Sequence, residues 1–234
     1  MVGVGIITCN REEFFKVCLD SVPECDRLIV INDGEKLKGE YDAKIIEHDK
    51  NVGVGKSKNE ALKYLMDEGC EHLFLIEDDM EIIHPAVFSK YIEASEKTGI
   101  EHFNFGFHGP GNKIKGEPVP NKIKRINGVV VFLNKTLVGS FSYYSRNCIE
   151  KVGYFDEYFV NCMDHVDHTY RIIKEGLTTK MWEFADIFNS FNYINEQAST
   201  DNSVIRKGKD FDKRLREAID YFNKKHGENI KKIK

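Results

Sequence analysis

Residues 73–79 run from four apolar side chains directly into three carboxylates, Glu77, Asp78 and Asp79. So short an apolar run is typical of a buried strand rather than a helix. In an open α/β sheet, ligands bind at the carboxyl ends of the strands, so we expect the acids to lie at a ligand-binding edge. Adjacent buried carboxylates repel one another, and a divalent cation bound to a phosphorylated substrate would compensate them. The alternative is a solvated acidic turn.

Strands and helices alternate along the N-terminal part of the chain. Apolar periodicity and turn residues predict strands at Val2–Thr8, Arg27–Ile31, Ala43–Glu47 and 72–77, and helices at Glu12–Val22, 55–68 and Pro85–Lys97. Such alternation predicts an α/β fold with a mostly parallel, doubly wound central sheet that is flanked by helices.

The rest of the chain is less regular. Its patterns predict strands at 102–107, Val129–Leu133 and Lys180–Phe184, helices at Arg146–Val152, Asp164–Lys174 and Lys209–Lys225, and a mobile loop at Gly109–Lys122. We therefore expect one domain over residues 1–205, followed by a C-terminal amphipathic helix and basic tail over 206–234. We expect this domain to divide into two halves, about 1–108 and about 109–205.

Composition excludes several classes of protein. No apolar segment approaches the roughly 20 residues that span a bilayer, and a strand beginning at Val2 leaves no room for a signal peptide. The six cysteines are scattered without metal-site spacing, which favours reduced thiols in a cytoplasmic protein. A net charge of −4 gives no indication of general nucleic-acid binding. The basic stretches at 113–125 and 206–234 are compatible with binding of an anionic acceptor molecule or with peripheral contact to a membrane.

Polar clusters follow four predicted strands, and in a parallel sheet these strand ends gather along one edge. Asp33 has carboxylate oxygens that can accept hydrogen bonds from a nucleobase or a ribose. Lys56 and Lys58 begin a helix, whose N-terminus suits phosphate groups. These groups suit a ligand with a nucleoside and phosphates, and the candidate residues for binding such a nucleotide donor are Thr8, Asn10, Arg11, Asp33, Asn51, Lys56, Lys58, Glu77 and Asp78.

Five segments, in this order, resemble motifs of the inverting family 2 glycosyltransferases with the GT-A fold. Ile29–Gly34 resembles the family's apolar strand followed by Asp-Asp-Gly-Ser, and Asn51–Asn59 resembles its Asn-x-Gly-x-x-x-Ala-Arg-Asn motif. Glu77–Asp79 resembles the Asp-x-Asp metal motif. Val152–Glu157 resembles Gly-x-Phe-Asp-Glu, and Asp164–Arg171 with Gly176 resembles the Glu-Asp-x-Asp-x-x-x-Arg helix. Each motif is modest, but the ordered set is specific. The late helix is also similar, more weakly, to that of bacterial chondroitin- and heparosan-type capsule polymerases.

The resemblance implies transfer of a sugar from a nucleotide-sugar donor, most often a UDP-sugar, with Mn²⁺ or Mg²⁺ as cofactor. Asp33 would hold the uracil or ribose, and Lys58 the diphosphate. Asp79 would bind the metal, and Glu77 the ribose or the metal's water shell. The implied acceptor is a glycan or glycolipid of surface polysaccharide assembly. Inverting transfer also needs a base, which in this family is a carboxylate of the Glu-Asp pair beginning the late helix.

The chain departs from the family pattern at this pair, which reads Asp164-His165. Asp164 is the first candidate for the base, and Asp167 is the second. His165 is a further candidate for the base or for a metal ligand, since neutral imidazole binds Mn²⁺. The simpler alternative is a solvated histidine at a helix start. Lys58 lies where the family more commonly has arginine. A lysine keeps the positive charge but cannot make the bidentate contacts of a guanidinium group.

Aromatic side chains before and after the late helix are candidates for acceptor binding, because sugars stack on aromatic faces. The alternative for each of them is core packing. The loop at 109–122 would close over the donor, or it is a plain flexible insertion. The candidate acceptor residues are Phe141, Tyr143, Tyr144 and Trp182.

Three other functions stay open. The basic stretches suit transfer to modified DNA. A nucleotidyltransferase shares the sheet and the acids, although it typically has a glycine-rich loop after the first strand, where this chain has none. A nucleotide-sugar-binding protein without catalysis would account for His165 in place of the expected acid.

Overall fold

A computed structural model describes residues 1–197 and 209–233. The helices are α1 Glu12–Ser21, α2 Val54–Asp67, α3 Val87–Thr98, α4 Arg146–Val152, α5 Asp164–Lys174 and α6 Phe211–His226. The strands are β1 Val2–Thr8, β2 Arg27–Asn32, β3 Lys44–Glu47, β4 His72–Glu77, β5 Met80–Ile82, β6 His102–Asn104, β7 Lys113–Ile114, β8 Glu117–Pro118, β9 Lys122–Ile126, β10 Val129–Asn134, β11 Phe141–Ser145, β12 Phe184–Ile187 and β13 Ile194–Glu196. None of the helices in these ranges is long and apolar enough to cross a membrane.

The central sheet has the strand order β3-β2-β1-β4-β11-β6. The first four strands are parallel, and β11 runs antiparallel between β4 and β6. In the parallel register Thr8 pairs with Asn32, and Ile7 pairs with Glu77, so the strand ends lie side by side. The predicted fold class is confirmed, and the polar clusters that follow these strands start from one edge of the sheet.

Both faces of the sheet are covered, which explains the continuous apolar strands. Alternate residues of Leu73–Ile76 face two different hydrophobic clusters, one shared with α1 and α3 and the other with α2. Gly5 of β1 permits the close approach of α2, because a Cβ at this position would lie 2.8 Å from the Cβ of Ala61. The sheet and α2 therefore form the rigid support for the strand ends.

A second, antiparallel sheet has the order β12-β10-β9. The C-terminal helix α6 packs against α5 through a third hydrophobic cluster, in which Ala218 and Phe222 are buried together with Phe159 and Tyr170. The late motif is thus packed against a helix from the far end of the chain. The predicted boundary between residues 205 and 206 lies outside the described residues.

Most differences from the predicted elements fall in the antiparallel part. The predictions do not contain β9, because four of its five residues are exposed and it has no apolar period. The stretch predicted to face the acceptor contains β11, which is almost fully buried. The strand predicted at Lys180–Phe184 lies instead at Phe184–Ile187. The loop predicted to be mobile contains the β7–β8 hairpin and is bonded to Glu196 through the Gly109 N–H (2.6 Å).

Candidate active site

The loops after the parallel strands are joined to one another at the carboxyl edge of the sheet. Asn10, which follows β1 with φ +57°, accepts a hydrogen bond from the Glu35 N–H after β2 (2.7 Å). Arg11 reaches from the same loop to the acids after β4. Asn51, ahead of α2, donates to the carboxylate of Asp33 (2.9 Å). The structure therefore gathers the predicted strand-end clusters into one contiguous region.

Asp78 is the buried centre of the acidic motif, with 1% of its surface exposed. Its carboxylate accepts hydrogen bonds from the Thr8 hydroxyl (2.8 Å) and the Cys9 N–H (3.3 Å), and it forms an ion pair with Arg11. Burial raises the pKa of Asp78 to about 7, against the opposing effect of Arg11. Asp78 therefore links the end of β4 to the end of β1.

Asp79 has one carboxylate oxygen that no described residue pairs. Its Oδ2 lies 3.0 Å from Arg11 Nη1 and 3.5 Å from His108 Nε2, whereas its buried Oδ1 has no hydrogen-bond partner in the described part of the chain. Burial alone would raise the pKa of Asp79, but His108 and Arg11 hold it below its usual value. An ionised carboxylate with an unpaired oxygen fits a divalent cation, as the sequence predicts for Asp79.

His108, in the loop after β6, is a candidate metal ligand that the sequence patterns do not indicate. Its buried Nε2 lies too far from Asp79 for a good hydrogen bond and has no other partner among residues 1–197 and 209–233. A lone histidine after a strand offers no spacing signal, so only the fold reveals it. The described residues contain no group of three or more His, Cys, Asp and Glu side chains arranged for a metal. A cation at Asp79 would therefore draw few of its ligands from these residue types.

Asp33 shapes the turn ahead of α2. Its Oδ1 accepts from the Val52 N–H (2.7 Å) and contacts His48 Nδ1 (2.8 Å), and its Oδ2 accepts from the Gly53 N–H (2.9 Å) and the Asn51 amide. Gly53 has φ +96°, a conformation that favours glycine. Both carboxylate oxygens are thus engaged by the protein, and contact with a base or ribose stays a prediction.

Lys58 lies inside the protein, with only 2% of its surface exposed. Its Nζ donates to Glu77 (2.8 Å) and to the Gly139 carbonyl (3.2 Å), and lies 3.4 Å from Asp164 Oδ2. Burial alone would lower the pKa of Lys58, but the two carboxylates raise it above its usual value. Its charge is compensated within the protein, which argues against the predicted diphosphate contact. Lys56 is exposed on the first turn of α2 and is the lysine available to a phosphate.

Asp164 and His165 begin α5 and lie together. Asp164 is buried, and its Oδ1 lies 3.5 Å from His165 Nδ1. Burial alone would raise the pKa of Asp164, but Lys58 and His165 hold it well below its usual range. His165 keeps 27% of its side chain exposed, and its ring packs against Gly139, where a Cβ would lie 2.8 Å from the ring Cγ. The histidine is therefore the accessible member of the pair.

Asp167, the second candidate for the base, is surrounded by three basic side chains. It is fully buried, and its carboxylate contacts Arg171 (3.0 Å), Lys225 (2.9 Å) and His226 (2.8 Å). Two of these partners belong to α6, so Asp167 fastens the C-terminal helix to α5. This geometry does not favour Asp167 as the base.

The predicted acceptor aromatics are mostly part of the core. Phe141, Tyr143 and Tyr144 have at most 1% of their surface exposed, because β11 is covered on both faces. A ring without an exposed face cannot stack on a sugar, so their burial argues against acceptor contact. Trp182 is partly exposed, but its indole N–H donates to the Ile233 carbonyl (2.8 Å) near the C-terminus.

The mostly parallel sheet and its flanking helices form a GT-A-type fold, which solved glycosyltransferase structures share. The sequence is similar to an uncharacterized glycosyltransferase of Acanthamoeba polyphaga mimivirus, with 29% identity over an alignment that covers 87% of this chain and 84% of the relative. No protein-family model matches the chain.

Two solved structures illustrate the likeness in fold. S. aureus TarS superposes with a TM-score of 0.59 at 16% identity, over 84% of this chain and 36% of TarS. GalNAc-T7 superposes with a TM-score of 0.62 at 10% identity, over 97% of this chain and 50% of GalNAc-T7. This chain thus matches only about a third to a half of the length of these two structures.

Proposed function

We propose that the protein is a metal-dependent, inverting glycosyltransferase that moves a sugar from a nucleotide-sugar donor to a hydroxyl of a glycan or glycolipid. One observation carries the proposal: at the carboxyl end of β4, Asp79 keeps an unpaired oxygen beside Arg11, and Lys58 joins the same strand end to Asp164 and His165. The fold and the mimivirus relative support the same reaction class.

A UDP-sugar is the proposed donor. TarS has been solved with UDP and with UDP-GlcNAc, and GalNAc-T7 with UDP and GalNAc. A mannosyltransferase from Pyrobaculum calidifontis, of similar fold, has been solved with GDP-Man. In this chain, the turn shaped by Asp33 would receive the nucleoside. The N-terminus of α2 and the exposed Lys56 would receive the diphosphate, because helix N-termini and ammonium groups favour phosphate.

Mn²⁺ or Mg²⁺ is the proposed cofactor, and Asp79 would hold it. Bound there, the cation would take up negative charge on the departing diphosphate. The GalNAc-T7 and mannosyltransferase structures contain Mn²⁺, which supports this cofactor. Arg11, 3.0 Å from Asp79, adds a positive group at the same strand end.

His165 is the proposed base, and Asp164 is its positioning residue. Asp164 is a poor base because it is buried and Lys58 stabilises its ionised form. As the acceptor oxygen bonds to the anomeric carbon from the opposite face, the bond from that carbon to phosphate breaks. Its electron pair leaves with the diphosphate, and the acceptor proton passes to Nε2 of His165. Asp164, on the Nδ1 side, orients the ring.

A thermal-shift panel of nucleoside diphosphates and nucleotide sugars, with and without Mn²⁺, tests the donor site. We expect a UDP-selective, Mn²⁺-dependent rise in melting temperature, because a ligand at 100 times its Kd stabilises the native state by about 2.7 kcal/mol. Asp79→Ala should abolish the shift, whereas Glu96→Ala, an exposed carboxylate on α3, should retain it. The absence of a shift with every nucleotide would refute the proposal.

Release of UDP in the presence of a glycan mixture tests the base. His165→Gln should keep the UDP-dependent thermal shift while transfer falls by about 10²- to 10⁴-fold. Unchanged transfer in this variant would contradict the assignment. A native protein that binds donors but never turns over would favour the non-catalytic alternative.

A further inference from the structure

Two neighbouring side chains at the end of β4, His108 and Asp79, each have a buried polar atom without a hydrogen-bond partner among the described residues. The Nε2 of His108 and the Oδ1 of Asp79 are both buried, and neither has a hydrogen-bond partner in the described part of the chain. The same Nε2 lies 3.5 Å from the second oxygen of Asp79. Buried polar atoms in native proteins are nearly always paired, so two unpaired atoms on neighbouring side chains indicate a bound ligand.

The chemistry and spacing of these atoms suit a shared divalent cation. Carboxylate oxygen and imidazole nitrogen are both ligands of divalent transition metals. Adjacent ligands of an octahedral cation with bonds of ~2.1 Å lie ~3 Å apart. His108 Nε2 lies 3.5 Å from Oδ2 of Asp79, the oxygen that Arg11 contacts, so the imidazole and the carboxylate are close enough for one cation to reach both.

The loop that carries His108 is held in place without using the imidazole. The Gly106 N–H donates to the buried carboxylate of Asp186 (2.9 Å), and the Gly106 carbonyl accepts from the buried amide of Asn112 (2.6 Å). Asn112 also accepts from the Thr136 N–H (2.9 Å). Such bonds around a metal ligand fix its position while its own nitrogen stays available.

We propose that His108 is the second protein ligand of the cation, together with Asp79. This inference rests on the proposed function and names a residue of the same site. His165, which the sequence suggests as a ligand, lies instead beside Asp164 at the start of α5, with its Nδ1 3.5 Å from Oδ1 of that residue. The two histidines thus have separate tasks, since His108 completes the cation site and His165 takes the acceptor proton. Diphosphate oxygens and water would supply the other ligands, as is usual for cations at phosphate sites.

Pulsed electron paramagnetic resonance of bound Mn²⁺ tests the assignment, with UDP as the probe ligand. A coordinated imidazole nitrogen modulates the Mn²⁺ signal directly, and we expect this modulation in the native protein. His108→Gln should lose it and bind Mn²⁺ at least about tenfold more weakly. His165→Gln should keep both the modulation and the affinity. His84→Gln, at an exposed histidine ahead of α3, is the matched control and should resemble the native protein.

Three results would overturn the ligand assignment alone: nitrogen modulation that persists in His108→Gln, modulation that disappears in His165→Gln, or Mn²⁺ bound to the native protein without modulation. Failure of Mn²⁺ to bind in the presence of UDP would overturn the proposed metal dependence as well. Circular dichroism checks that each variant is folded. If His108→Gln does not fold, the signals of the native protein and of His165→Gln decide.

Discussion

Lys58 is a buried cation between two carboxylates, and its replacement by methionine should be costly. Its Nζ lies 2.8 Å from Glu77 and 3.4 Å from Asp164, and it donates to the Gly139 carbonyl. Methionine fills a similar volume, so the loss is electrostatic rather than a cavity. Lys58→Met would leave Asp164 buried with only the neighbouring His165 as a possible cation. Removal of one partner from a buried ion pair costs about 3–5 kcal/mol.

The expected change in thermal stability follows from chain length. For a domain of 150–250 residues, 1 kcal/mol shifts the melting temperature by about 2–4 °C. Lys58→Met should therefore lower the melting temperature by roughly 6–20 °C. Adding Asp164→Leu should recover part of this loss, because the double variant no longer buries that unpaired charge. The recovery would show that the cost arises from the carboxylate that lost its partner.

Urea unfolding followed by circular dichroism measures the free energy of unfolding of each variant. Lys56→Met, at an exposed position of the same helix, is the matched control and should change stability by no more than about 0.5 kcal/mol. A cost below about 1 kcal/mol for Lys58→Met, or no recovery in the double variant, would refute the reasoning about this buried pair.

Two further predictions concern His48 and Asp167. Burial opposes protonation of His48, but hydrogen bonds to Glu60 and Asp33 outweigh it and raise its pKa. The stabilisation from His48 is therefore complete below its unfolded pKa of about 6.5 and is lost as the pH rises through its folded pKa. His48→Gln should cost most stability at low pH and less above neutrality in urea unfolding, and a pH-independent difference would contradict this. Asp167→Asn should weaken the docking of α6 through Lys225 and destabilise the fold by about 2–4 kcal/mol. Transfer per folded molecule should stay within about threefold, whereas a 10²-fold loss would restore Asp167 as a candidate base.

The parallel half of the sheet could be predicted because its signals are local. Strands β1, β2 and β4 and helix α2 begin and end within about a residue of the predicted bounds. Their apolar runs lie between turn residues such as Asn32-Asp33-Gly34, and neither signal depends on distant parts of the chain. The carboxyl ends of parallel strands must share an edge, so the proximity of the candidate donor-binding residues could be predicted as well.

The antiparallel part could not be predicted in the same detail. Strand β9 lies at the edge of its sheet with charged, exposed residues, and it forms through hydrogen bonds to β10 rather than through an apolar pattern. The aromatics of β11 can be read as surface or core residues, and their burial depends on helices from elsewhere in the chain covering both faces.

The α/β fold, the acids at the end of β4 and the Asp164-His165 pair could be predicted from the amino-acid sequence, because strand ends and helix starts are properties of neighbouring residues. Which of these groups face solvent and which face one another depends on how the elements pack in three dimensions. This packing places His108 beside Asp79, buries Lys58 between Glu77 and Asp164, and engages Asp167 with α6. These contacts join segments that are far apart in the chain, and their charges and exposure depend on the packing of several elements. The spacing of residues along the chain does not indicate how these distant elements pack.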